Sequence, residues 1–139
     1  MSFELDGIEY RVDAPAEGYI SDESNNSSVI VSITNGDDTM LFMGDAEDER
    51  IIEFLDGDKS SYDFLKVPHH GRKGKTSSML IDIIKPEIAV ITSSDEEKED
   101  EKIAEWLEQA GADVYLTRIA PVVVESDGNE MRVCYMHGD

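Results

Sequence analysis

Three short stretches, residues 29–31, 65–67 and 88–91, read as strands that are apolar toward both faces rather than alternating with polar positions. Strands of that kind need cover above and below their sheet. Segments of helical period lie between and after them. The spacing predicts a first helix over residues 46–55, with Asp45 as N-cap, Glu47, Asp48 and Glu49 in the first turn, and Ile51, Ile52 and Leu55 facing inward. A second helix starts at Thr76 or Ser77, carries Met79, Leu80, Ile83 and Ile84 on one face, and stops at Pro86. A third, capped by Ser94 or Asp95, carries Ile103, Trp106, Leu107 and Ala110 and ends with Gly111 at the C′ position.

Turn chemistry supplies the rest. Asp6-Gly7 predicts a hairpin over residues 3–12, and Asn35-Gly36 joins strands over 29–34 and 39–43. Further strands are expected at 64–67, 88–92 and 114–117, and a last hairpin at 122–125 and 131–135. Residues 14–28 read as a loop, mobile in part, and the tail from His137 as frayed. Cys134 and Trp106 read as buried. The order gives an α/β fold, a mixed β-sheet with about three helices on one face. No helix remains for the second face, so either the terminal hairpins close it or it packs on something outside the chain.

A length of 139 residues predicts a single domain over 1–139, long enough for a core without disulfides. There are 32 acidic and 12 basic residues, a formal net charge of −20. Such a surface repels nucleic-acid phosphates and anionic membranes at long range. The single cysteine excludes an internal disulfide. Neither a signal peptide nor an apolar run of spanning length is present, so the expected setting is cytoplasmic, or a soluble module of a larger protein, with no membrane partner.

Chemistry concentrates at two strand ends. One apolar run ends on Gly44-Asp45, and another on His69-His70-Gly71, with two of the three histidines in the chain. Asp45 has an ordinary role as a helix cap, and the histidines could serve as loop hydrogen-bonders. Consecutive strand side chains point to opposite faces, so at most one of the pair is expected to ligate a metal. Arg72, Lys73 and Lys75 form the one dense basic cluster, and with Thr76 and Ser77 at a helix start they suggest an anion site. A phosphate-binding loop is disfavoured, because the glycine required five residues before Gly74 is His69. The acidic run over residues 95–101 reads as a solvated helix start.

Asn25-Asn26-Ser27-Ser28, Gly44-Asp45-Ala46, Val67-Pro68-His69-His70-Gly71, Thr76-Ser77-Ser78 and Lys85-Pro86-Glu87 occur in an order that closely resembles the C-terminal half of the metallo-β-lactamase fold. The nearest branch resembled is the hydrolase domain of ComEC-type competence proteins, and the resemblance covers about residues 25–133. It implies half of a four-layer αββα sandwich with a two-metal rim site holding zinc or manganese. Asp45 matches the bridging carboxylate and His69 the late histidine ligand, with His70 second for that role. The family's His-x-His-x-Asp-His motif is absent, so this chain carries at most two of the expected ligands.

The implied function is the C-terminal half of a metal-dependent hydrolase for phosphoester or nucleic-acid substrates, inactive alone. Its partner would be the missing N-terminal half of the fold. The alternative is a degenerate, non-catalytic domain that uses an uncovered sheet face for partner binding or self-association, as a dimer or larger.

Overall fold

A computed structural model describes residues 1–16 and 24–136. Strands β1 (Ser2–Leu5) and β2 (Ile8–Asp13) form the first hairpin. Asp6 and Gly7 both take positive φ, 53° and 80°, as a two-residue turn of this kind requires. β3 (Ile30–Asn35) and β4 (Asp38–Phe42) form the second. Its turn is centred on Gly36 and Asp37, one residue later than the Asn-Gly signal suggests, and of the residues around it only Gly36 has positive φ.

From β4 onward the chain alternates: α1 (Asp48–Gly57), β5 (Phe64–Lys66), α2 (Ser77–Ile84), β6 (Ile88–Ile91), α3 (Glu101–Gln109) and β7 (Asp113–Leu116). The hairpin β8 (Val122–Ser126) and β9 (Met131–Tyr135) closes the sequence of elements. The main sheet runs in order from β1 to β7. Its first four strands pair antiparallel, and β4 to β7 pair parallel.

The two faces of this sheet separate cleanly. On one, Ile30, Leu41, Leu65, Ala89 and Ile91 are fully buried against Ile51, Phe54 and Leu55 of α1, Leu80, Ile81 and Ile84 of α2, and Ile103 and Leu107 of α3. On the other, register aligns Val31, Phe42, Lys66, Val90 and Tyr115 in one row and Ile33, Met40, Phe64 and Ile88 in the next. Phe64 and Val90 are buried there, outside the helix-side core.

The β8–β9 hairpin supplies that cover. The Tyr135 ring meets Tyr115 with centroids 5.3 Å apart, and the Tyr135 hydroxyl accepts the Leu116 N–H at 2.9 Å. At the far end Asn35 Nδ2 donates to Ser126 Oγ at 3.0 Å, and the Asp37 N–H donates to the Gly128 carbonyl at 2.7 Å. The hairpin thus begins a second β layer, but Met1, Phe3, Leu5 and Val29 are left exposed.

Several element ends differ from expectation, for local reasons. α1 begins at Asp48 with Glu47 as N-cap, so Asp45 is not the cap. Its buried face contains Arg50 in place of Ile52, which is exposed. Arg50 is tolerated because it is bonded: Nη2 reaches Asp13 Oδ1 at 2.6 Å and the Asp13 carbonyl at 2.7 Å, and Nε reaches the Ser28 carbonyl at 2.8 Å. α3 begins at Glu101, because Glu97, Glu99 and Asp100 before it are engaged in ties described below. Thr76 is the N-cap of α2 but makes no capping bond. Gly111 takes φ 96° after α3, as expected of a C′ glycine. Cys134 is exposed on the outer face of β9, and Trp106 is partly buried against the core. His137 and most of the loop before Ser24 lie outside the described residues.

Candidate metal centre at the strand rim

Parallel pairing of β4 to β7 brings their C-terminal ends to one rim, where α/β sheets commonly bind ligands. β4 runs out into Gly44 and Asp45. β5 runs out into a short 3-10 turn, Pro68–Gly71, that carries both histidines. β6 is followed by Thr92, Ser93 and Ser94, and β7 by Thr117 and Arg118.

The histidines are not on a strand. His69 has φ 52° and ψ 42°, and His70 has φ 56° and ψ 28°, so both are left-handed, and Gly71 follows with φ 72°. Left-handed residues cost roughly 1–2 kcal/mol each outside glycine. The turn persists because neighbours hold it. The His69 N–H donates to the Gly44 carbonyl at 3.1 Å, the Arg72 N–H to the His69 carbonyl at 3.0 Å, and the Asp100 N–H to the Gly71 carbonyl at 3.1 Å.

This backbone sends the two imidazoles to different carboxylates. His70 Nε2 lies 3.2 Å from Asp45 Oδ1, and His69 Nε2 lies 3.2 Å from Glu47 Oε1. The alternation expected of a strand therefore does not apply. Asp45, expected beside His69, is paired with His70. His70 Nδ1 is 2.8 Å from the Thr92 carbonyl oxygen, which can only accept, so Nδ1 carries a proton and donates to it. That leaves Nε2, facing Asp45, as the nitrogen through which this ring would hold a metal. Lys66 Nζ donates to the Gly44 carbonyl at 2.9 Å. Burial lowers the Lys66 pKa, and the Asp45 charge partly opposes the shift.

These donors fit two positions around a metal and do not complete a set. Among the described residues no group of three or more His, Cys, Asp or Glu could hold an ion. His69 and Glu47 face a cleft of about 510 Å³ that also takes in Arg72, Lys73, Lys98 and Asp100. His70 faces a smaller one of about 270 Å³ lined by Thr92, Ser93, Ser94, Glu97 and Thr117.

The expected anion site is distributed differently. Asp48 Oδ1 accepts the Thr76 hydroxyl at 2.6 Å and the Thr76 N–H at 2.9 Å, and Asp48 Oδ2 accepts the Lys75 N–H at 3.2 Å. Ser77 Oγ accepts the Gly74 N–H at 2.8 Å. An internal carboxylate thus takes the Lys75 N–H and both Thr76 donors. Burial raises the Asp48 pKa, but the Thr76 and Lys75 bonds and the Lys75 charge outweigh it and leave it below the usual carboxylate range. Arg72 reaches Glu97 at 3.5 Å, and Lys73 Nζ sits 5.5 Å from the Trp106 ring centroid.

Sequence reasoning missed Lys66, Asp48, Thr92 and the Glu99–Arg118 pair. Arg118 Nε contacts Glu99 Oε2 at 3.1 Å, and Glu99 is itself held below its usual pKa: burial raises it, and the Arg118 hydrogen bonds and charge overcome that. Only Lys66 carried a visible signal, a charge that breaks the two-sided apolar run expected over residues 65–67.

The model of the Metallo-beta-lactamase superfamily matches residues 14–93, more than half of the chain. Recombination protein 2 of Haemophilus influenzae is 30% identical over 89 residues, 63% of this chain and 11% of that protein. The chain therefore corresponds to a small part of that relative, in keeping with the ComEC-type relation. With its mixed sheet, three helices on one face and ligand-type residues at the strand rim, the chain belongs to the metallo-β-lactamase superfamily.

Proposed function

We propose that this chain forms the C-terminal wall of a two-metal hydrolase centre acting on phosphoester or nucleic-acid substrates. Asp45 and His70 are its ligands, and the remaining ligands come from an N-terminal half of the fold. The observation that carries the reading is the 3.2 Å approach of His70 Nε2 to Asp45 Oδ1, with the opposite ring nitrogen committed to Thr92. Geometry favours His70 over His69 as the imidazole ligand, because His69 is turned to Glu47. The name of the Haemophilus relative refers to recombination, which supports the nucleic-acid class of substrate.

Bound zinc or manganese would supply a water of lowered pKa and charge stabilisation for the leaving oxygen. The chain's own residues hold Asp45 and orient His70. The compartment proposed is the cytoplasm, or a soluble segment of a larger protein.

The test pairs this chain with a half bearing His-x-His-x-Asp-His and measures bound metal and hydrolysis of bis(p-nitrophenyl) phosphate. The pair is expected to hold metal tightly and hydrolyse the diester, and the chain alone to bind metal only weakly, at Asp45 and His70, and to hydrolyse nothing. Asp45→Ala and His70→Ala should remove metal from the pair, and His69→Ala should leave most of it. A pair that binds no metal, or is indifferent to Asp45→Ala, contradicts the reading.

A second reading, a non-catalytic domain that associates through its sheet, is favoured by one observation. Met1, Phe3, Leu5 and Val29 are exposed apolar residues beyond the reach of the β8–β9 hairpin. Sedimentation of the chain as a dimer or larger, with no metal uptake by the reconstituted pair, would favour it.

A further inference from the structure

Lys66 occupies an unexpected position. It stands in a central strand, in a row otherwise made of Val31, Phe42, Val90 and Tyr115, and its side chain is half-buried. A methionine would pack there without the cost of desolvating an ammonium group. Whatever offsets that cost lies at the rim, where the Lys66 ammonium donates to the Gly44 carbonyl.

That carbonyl is shared. It accepts Lys66 Nζ at 2.9 Å and the His69 N–H at 3.1 Å. Gly44 is left-handed, φ 56°, although a Cβ there would meet its neighbours at an ordinary 3.6 Å, so glycine serves the turn's shape rather than a lack of space. One oxygen thus joins the turn that carries Asp45 to the turn that carries His69 and His70.

We propose that Lys66 is a positioning residue that sets Asp45 against His70 by pinning the Gly44 carbonyl to which the His69 amide also donates. The inference rests on the reading of Asp45 and His70 as ligands. Lys66 has two possible effects on a cation, and they have opposite signs. As a charge near Asp45 it repels a divalent ion. As the clamp on Gly44 it holds the carboxylate and imidazole at ligating separation. Residues supporting ligands in this way typically change metal affinity about 10–100-fold when removed.

Manganese(II) added to isotope-labelled chain, read as NMR broadening of Asp45 and His70, separates the two effects. Lys66→Met is expected to weaken the apparent affinity at least about tenfold, and Lys66→Arg, which keeps a donor, to restore most of it. Equal or tighter binding by Lys66→Met overturns the proposal. Amide hydrogen exchange provides a metal-free readout. The His69 amide should exchange about tenfold faster in Lys66→Met, as loss of roughly one hydrogen bond's worth of order implies, while amides within β5 and β6 keep their rates. Unchanged His69 exchange also overturns it. If manganese leaves Asp45 and His70 unbroadened in the unsubstituted chain, the metal reading fails, and the exchange result alone decides the role of Lys66.

Discussion

Gly71 is confined by its backbone and by its surroundings at once. Its φ of 72° is left-handed, and a Cβ placed there would lie 2.7 Å from Ile91 Cγ2 and 2.9 Å from Glu99 Cβ. Ile91 is fully buried, and Glu99 is tied to Arg118, so neither can retreat freely. Gly71→Ala is therefore expected to destabilise the chain by about 2–4 kcal/mol, combining the left-handed penalty with overpacking. Urea unfolding would measure it, and a loss under about 0.5 kcal/mol, the range of neutral surface changes, would contradict the geometry. The same substitution should move the His70 ring away from Thr92, since Gly71 closes the turn. This glycine was visible in the sequence, but its neighbours were not legible in the same way. Nothing in the letters of His69 and His70 announces two consecutive left-handed residues, and so strand alternation assigned them wrongly to opposite faces of a sheet.

Between elements, the decisive contact joins the first turn of α1 to the start of α2 through Asp48. Its carboxylate receives two backbone N–H groups and a hydroxyl from residues 75 and 76. The folded-state pKa lies below that of the unfolded chain, near 3.9. The stabilisation is therefore complete above about pH 5 and is lost as pH falls through the depressed folded value. Glu99, lowered with Arg118 as its partner, acts in the same direction. Asp48→Asn should cost about 1–2 kcal/mol at pH 7 and clearly less near pH 2. Urea titrations at the two pH values check this, and an equal cost at both would show that ionisation of Asp48 is irrelevant. The order and type of the elements were readable from apolar period and turn residues. Their ends were not, because Asp48, Ser94, Glu97 and Asp100 spend their side chains on partners distant in sequence or on local turns. Ser94 Oγ accepts the Glu97 N–H and the Asp100 carboxylate accepts the Lys73 N–H, and the acidic run becomes a strap over the histidine turn instead of a helix start. Arg50 was invisible for a related reason: a buried arginine is defined by the carbonyls around it, here those of Asp13 and Ser28.

At the scale of the whole molecule, charge dominates. The sequence has 12 basic residues against 32 acidic ones, and several of those cations are already committed, Arg50 to Asp13 and Arg118 to Glu99 among them. Salt has two opposing effects on such a surface. It screens favourable exposed pairs such as Arg72–Glu97, Lys102–Glu105 and Arg132–Glu130, each contributing about 0–1 kcal/mol. It also screens the mutual repulsion of a formal net charge of −20 held on one compact chain. The second effect acts on many more charges, and so it should win. Raising ionic strength from about 0.01 to 1 M shortens the screening length from about 30 to 3 Å. The thermal midpoint is expected to rise by roughly 3–8 °C, corresponding to about 1–2 kcal/mol for a chain of this size. Because screening saturates once its length falls below the spacing of surface charges, most of the gain should come in the first few tenths molar. A variant with the exposed Glu96, Glu101 and Glu105 changed to Gln should start higher and gain less. Differential scanning calorimetry in sodium chloride reads both slopes, and a midpoint that falls with salt, or a variant with an undiminished slope, would show that the local pairs outweigh the net charge. The same field bears on the proposed chemistry. A polyanionic substrate approaches this chain against its net charge, so its binding to any reconstituted centre should strengthen with divalent cations and over the same span of salt in which the fold is stabilised, the reverse of the salt dependence shown by basic nucleic-acid-binding proteins.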